Sequence, residues 1–139
     1  MDQTGKDRIA QSFAAQSMMG TLGAALQEVE ISRVVITAPL LPGSLHQQGF
    51  GHAGLTFSIG DSAAGYSALT TLPMDMEVVT AEVKINLLAP AKGDCLKAVG
   101  RVIKPGKRLV VVASDVFAVT GEKETLIAVL QGTMVPVPL

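Results

Sequence analysis

Residues 52–69 run His-Ala-Gly-Leu-Thr-Phe-Ser-Ile-Gly-Asp-Ser-Ala-Ala-Gly-Tyr-Ser-Ala-Leu and read as one helix built almost wholly from small and apolar side chains. That composition constrains the rest of the chain. Glycines at 54, 60 and 65 would each cost an isolated helix up to about 1 kcal/mol, so packing must supply its stability. Small residues from Ala53 through Ser58, Ala63 and Ala64 to Ala68 admit close neighbours on several sides. Such a helix is expected to lie inside something. Asp61 is its only acid, and counting in threes and fours places it on a face with Phe57, Ala64 and Ala68. A carboxylate there is costly unless it is paired or used.

The segment after Pro73 supplies the wrapping. Val79, Ala81, Val83, Ile85 and Leu87 alternate with Thr80, Glu82, Lys84 and Asn86, the period of a strand. A turn at Pro90–Asp94, a strand over Cys95–Lys104, a Pro105-Gly106 turn suited to type II geometry and a strand over Arg108–Thr120 follow. Gly121-Glu122-Lys123 then turns into a last strand at about 124–135. Four long strands joined by short turns predict an antiparallel meander, and strands of that length must curl. Upstream, Arg8–Met19 reads as a short helix with Gly20 at its C-terminus, and about 22–38 as two strands ended by Pro39 and Pro42. An irregular loop, 43–51, carries His46, Gln47 and Gln48 into the long helix. The expected fold is α+β: a short N-terminal helix, and a long central helix wrapped by a curved antiparallel β-sheet, in one domain over residues 1–139.

Composition narrows the partners. Hydrophobic residues make up 48% and charged residues 17%, too little surface charge for a free monomer, so a homo-oligomer is expected. A formal net charge of −1 removes the broad basic footprint of a nucleic-acid binder or a peripheral membrane protein, so neither nucleic acid nor membrane is an expected partner. Cys95 is alone, which fits a reducing compartment. The first eight residues lack the apolar core of a signal peptide and no apolar run approaches a membrane span, so the expected location is cytoplasmic.

Phosphate loops, zinc-ligand spacings and Gly-x-Ser-x-Gly elbows are absent. Cys95 follows a turn, as an ordinary packing residue would, and has no base beside it in sequence. His46 and His52 with Asp61 have the side-chain types of a two-histidine, one-carboxylate metal site, but no regular element puts both histidines on one face. Asp61 itself admits two readings: a working carboxylate, or one bonded to backbone amides or turned to solvent. His52 opens the helix without Ser, Thr, Asp or Asn to cap it, which leaves first-turn amides for an anion or a polarised carbonyl oxygen. Helical rise separates that electrophilic start from Asp61 by about 12 Å, too far for one reacting atom. A second subunit would close the gap. Arg101, Lys104, Lys107 and Arg108 cluster around Pro105-Gly106, either as a solvated hairpin tip or as a phosphate-binding rim.

His52-Ala53-Gly54, Asp61 nine residues after His52, and Ala63-x-Gly-Tyr-x-Ala68 together resemble the central helix of the PaaI-like hotdog thioesterases, whose usual form is His-Gly-Gly with Asp at that spacing. Thr80-Ala-Glu-Val-Lys-Ile-Asn-Leu-Leu-Ala-Pro90 resembles the strand that follows in that family. The resemblance implies a hotdog fold and an acyl-CoA thioesterase acting on a medium-chain or aromatic acyl-CoA, as a dimer or a dimer of dimers. Carried over, Asp61 is nucleophile or general base, and the Ala53 amide of a partner subunit polarises the thioester carbonyl. Thr80 matches a Ser or Thr near the hydrolytic water. His46 stands where relatives place Asn or Gln, a role that Gln47 or Gln48 is also close enough in sequence to take. The resemblance further implies no metal and no bound cofactor, with the nucleotide of CoA against the basic residues of the hairpin. Phe57, Leu72, Met74 and Met76 are candidates to line the acyl pocket and equally suit plain core. Two other functions fit a hotdog chain: an acyl-CoA-binding module without turnover, and a hydratase or dehydratase, although neither histidine has the His-x-x-x-x-Pro-Gly context of the latter.

Overall fold

The computed structural model describes residues 1–139, in the order α1 (Gln3–Ala15), α2 (Ser17–Thr21), β1 (Ala25–Glu30), β2 (Arg33–Pro39), a 3-10 turn at Pro42–Ser44, α3 (Ala53–Leu69), β3 (Met76–Leu87), β4 (Cys95–Lys104), β5 (Val110–Thr120) and β6 (Lys123–Pro138). The six strands make one sheet in the order β1-β2-β4-β5-β6-β3, with every neighbouring pair antiparallel. Its concave face holds α3, which packs most closely on β4 and then on β2, β5 and β3. The wrapped helix expected from its small residues is present.

Close approach explains the small residues. A Cβ on Gly100 of β4 would run into the Ala63 carbonyl of α3, so helix and strand meet backbone to backbone. The Ser114 hydroxyl of β5 donates to the Gly60 carbonyl at 2.6 Å, giving a buried polar group its partner. Val34, Ile36, Leu96, Ala98, Val116, Leu130 and Ile59 form the continuous core between the layers.

Four local expectations are corrected. The first helix starts at Gln3 rather than Arg8, because the Asp2 carboxylate accepts from the Gly5 N–H at 2.8 Å and caps it. It also breaks at Gln16 instead of running to Met19; the short α2 follows, and the stop falls on Gly23 at φ +68° rather than on Gly20. The meander holds for β4, β5 and β6 only: β3 pairs with β6 on the far side, and β4 pairs with β2. At Pro105-Gly106 the type II reading fails, since Gly106 is not among the glycines at positive φ; here glycine instead admits the Leu109 carbonyl, which a Cβ would strike.

The alternation of β3 is broken as well. Its register with β6 shifts between Thr80 and Glu82, so Ala81 is an extra residue, a bulge. After the bulge Val83 and Ile85 pack toward the core; before it, Val78 does, in phase with Thr80. Strict alternation would have put Thr80 on the polar face with Glu82 and Lys84. The bulge turns it to α3.

Candidate active site

Asp61 lies half-buried on α3, and the hydroxyl of Thr80 donates to its Oδ1 at 2.9 Å. Burial pushes the Asp61 carboxyl above the usual aspartate value, and the Thr80 hydrogen bond draws it partly back. The same hydroxyl lies 3.3 Å from Met134 Sδ, which fixes its position against β6. Beside the pair runs a cleft of about 240 Å³ whose walls come from α1, α3 and β3. Glu77, Tyr66, Ser12 and Gln16 line it together with Asp61 and Thr80.

At the start of α3 the expectation of uncapped amides is corrected. His52 is itself the N-cap: its Nδ1 accepts from the Gly54 N–H at 2.8 Å, and its carbonyl accepts from Leu55 and Thr56. An imidazole nitrogen that accepts there carries no proton, so the donor is on Nε2. The first amide, Ala53 N–H, has no partner within the chain, and Ala53 is exposed. What is left of the electrophilic start is one N–H at the positive end of the helix.

His46 does not line the Asp61 cleft. Its Nδ1 accepts from the Gln48 N–H at 3.0 Å, and its ring meets Phe50 edge-on at 5.9 Å between centroids, so it is tied into its own loop. Gln48 is exposed on that loop. Of the basic residues, Arg101 lies 3.9 Å from Asp115 Oδ2 and borders a hollow with Glu82 and Lys84, while Lys104, Lys107 and Arg108 stand exposed about the turn. Lys107 borders a groove of about 560 Å³ with Leu72, Pro73, Met76 and Pro136. Leu72 and Met76 thus face that groove, Phe57 packs on the core and Met74 is 52% exposed, so none of the four lines the Asp61 cleft.

Burial, then the charges of Asp94 and Glu124, push the Cys95 thiol up, away from the thiolate a nucleophile needs. No three His, Cys, Asp or Glu side chains converge to hold a metal ion. Ser12, Gln16, Tyr66 and Glu77 were not singled out from sequence. A signal existed in α1: Ser12 and Gln16 fall three and seven residues after Ile9, on the face that Ile9 and Phe13 bury.

A helix clasped in a curved antiparallel sheet is the architecture of the PaaI-like hotdog proteins. The model of the Thioesterase superfamily matches residues 48–125, and the chain belongs to that superfamily. A thioesterase family protein from Silicibacter pomeroyi is 32% identical, with a TM-score of 0.94 over 97% of this chain and 99% of that one. The E. coli PaaI protein from the phenylacetic acid degradation operon shares the fold, with a TM-score of 0.84 at 20% identity over 96% of this chain and 93% of its own. A Saccharolobus solfataricus protein named Putative esterase SSO1253 is 45% identical over 84 residues, 60% of this chain and 53% of that protein. The chain therefore spans about half the length of the curated relative it matches.

Proposed function

We propose that this chain is a cytoplasmic acyl-CoA thioester hydrolase for a medium-chain or aromatic acyl group, working as a dimer or a dimer of dimers. The observation that carries the reading is Asp61: a half-buried carboxylate on an otherwise small and apolar helix, held by Thr80 and open to a cleft. Membership of the thioesterase superfamily and the likeness to an esterase-named relative support hydrolysis as the chemistry.

In this mechanism the thioester carbonyl oxygen accepts from the Ala53 N–H of the partner subunit, which stabilises the negative charge that develops on it. Asp61 either attacks the carbonyl carbon or takes a proton from the water that does. The carbon–sulfur bond breaks and the thiolate takes up a proton; in the first route the acyl–Asp61 anhydride so formed is then split by water, which regenerates Asp61, and in both routes carboxylate and free CoA leave. Thr80 orients Asp61, and its hydrogen bond favours the ionised carboxylate against the larger opposing effect of burial. The nucleotide end of CoA lies against Lys104, Lys107 and Arg108, with Arg101 shared between that rim and Asp115. His52 keeps the helix start in shape by capping it.

Two halves on one helix about 12 Å apart cannot meet at one carbonyl, so the reading requires a second copy. Strand β3 favours this: it is a sheet edge of 12 residues, paired only with β6, with Val79 49% and Leu87 55% exposed. A released-thiol assay over a panel of acyl-CoAs tests the activity. Asp61→Asn and Asp61→Ala are expected to lose roughly 10²–10⁴ of turnover with the fold intact; a variant as fast as the parent would overturn the mechanism. A second reading, acyl-CoA binding without turnover, is favoured by His46, whose Nδ1 is occupied by its own loop. Tight CoA binding with no thiol release across the panel would establish it. The hydratase reading ranks third, since neither histidine lines the Asp61 cleft.

A further inference from the structure

Three turns meet at the end of the sheet where α3 finishes. Arg33 of β2 stands opposite Arg101 of β4, and the Val102 N–H donates to the Ser32 carbonyl at 3.1 Å, so the β1–β2 turn lies against the last residues of β4. The Ser32 N–H also donates to Thr70 Oγ1 at 2.8 Å, which ties that turn to the C-cap of α3. The loop from α3 to β3 joins the group. Its Leu72 and Pro73 wall the groove of about 560 Å³ that Pro105, Gly106 and Lys107 of the β4–β5 turn also border.

Each turn carries apolar side chains outward. Ile31, Met74, Ile103 and Leu109 all stand about half exposed, away from the β3 edge. Ile31 and Met74 border one hollow of about 280 Å³ with Leu72, and Leu72 is shared with the groove, so apolar surface continues from one turn to the next. Single exposed apolar residues are ordinary; a contiguous group of them marks an interaction surface.

Charge narrows the partner. Lys104, Lys107 and Arg108 stand exposed among these side chains, and none of the three has a carboxylate within ion-pair distance, whereas Lys6, Arg33, Lys97 and Arg101 each have one. Arg8, at the border, donates to the Leu72 and Met76 carbonyls. The acids nearby are Asp2, which caps α1, and Asp75 in the α3–β3 loop. A second copy of the same face is disfavoured, because a two-fold contact would set the three cations against their own kind. An anionic lipid surface suits both features: its phosphates take the cations, and the acyl boundary beneath them takes the apolar tips.

We infer that this end of the molecule docks on an anionic membrane surface, with Ile31, Met74, Ile103 and Leu109 at headgroup depth and Lys104, Lys107 and Arg108 on lipid phosphates. The contact goes beyond the hydrolase reading and needs no turnover. It runs against the absence of a membrane partner expected from a net charge of −1, since that figure averages over the whole surface and the unpaired cations gather at one end. The same cations form the rim proposed for the CoA nucleotide, so lipid and CoA compete for them, while the four apolar tips serve the lipid alone.

Cosedimentation tests this with vesicles of phosphatidylcholine alone and with about 30 mol% phosphatidylglycerol, at low and high salt. The protein is expected to bind the anionic vesicles about tenfold or more tighter than the neutral ones, and less tightly as salt rises. Ile103→Ser combined with Leu109→Ser should weaken that binding about tenfold, with thiol release and secondary structure at the parent's level. Leu126→Ser, an exposed apolar position beside the β5–β6 turn at the opposite end, should leave it unchanged. No binding to anionic vesicles, equal binding to neutral ones, or binding untouched by the Ile103 and Leu109 changes would overturn the inference. So would poly-glutamate bound as tightly as the vesicles, which assigns the face to an acidic protein, or a smaller assembly in the Ile103 and Leu109 variant, which assigns it to a second copy. A protein that binds vesicles in this pattern yet cleaves no acyl-CoA keeps the membrane contact and loses the hydrolase reading.

Discussion

Asp61 is held between two opposing influences, burial that disfavours its charge and a Thr80 hydroxyl that favours it, with burial the larger. Removing the hydroxyl in Thr80→Val therefore raises the carboxyl further, and the acid limb of the pH–rate profile is expected to move to higher pH. Stability carries the same sign. A carboxyl raised in the folded state binds its proton more tightly there, so it favours folding below the ordinary aspartate value and that contribution is lost as pH rises through the raised one. Asp61→Asn is accordingly expected to melt higher than the parent at neutral pH, with the gain shrinking as pH falls and gone below about pH 3.9. Thermal melts across pH check this. At this scale Asp61 stood out in the sequence as the one acid of its helix. Thr80 was legible only through the family resemblance, because the alternation of its strand places it with Glu82 and Lys84.

Glycines within the α3 layer separate two kinds of constraint. On Gly100 a Cβ would strike the Ala63 carbonyl and the Ala64 amide, which cannot yield without lifting α3 off β4. Gly100→Ala is expected to destabilise by about 3 kcal/mol or more, read as a large fall in melting temperature or loss of folded protein. On Gly65 a Cβ would meet only Met134 at 3.8 Å and Val78 at 4.0 Å, ordinary contact. Gly65→Ala should therefore raise stability by up to about 1 kcal/mol through helix propensity, while its methyl narrows the cleft and lowers turnover. Thermal melts beside thiol-release rates distinguish the two glycines. Most elements were legible at this scale: α3 and β4 fall within a residue of their expected bounds, because composition and period are properties of neighbours in sequence. The β3 bulge and the Gln16 break were not, since each answers to a contact elsewhere, Thr80 to Asp61 and Gln16 to Tyr66.

For the whole molecule, the question is what covers the β3 edge. Val79 and Leu87 are exposed there on a strand with an unpaired side, Val79 next in sequence to Thr80. Light scattering is expected to report a dimer or a larger even assembly, and Val79→Lys with Leu87→Lys to shift it toward monomer with loss of thiol release and retention of secondary structure. A fully active monomer would remove the shared site. The sequence by itself determined that a small-residue helix with one acid is wrapped by long antiparallel strands, because helix composition and strand period are written locally. Long-range contacts alone place β3 beyond β6, aim Thr80 at Asp61 through the Ala81 bulge, and bring Ser12 of α1 and Gln16, at the break after it, to the wall of the cleft. The physical reason is common to all three: strand order, bulge phase and helix breaks are chosen by contacts between residues far apart in the chain, which no local pattern encodes.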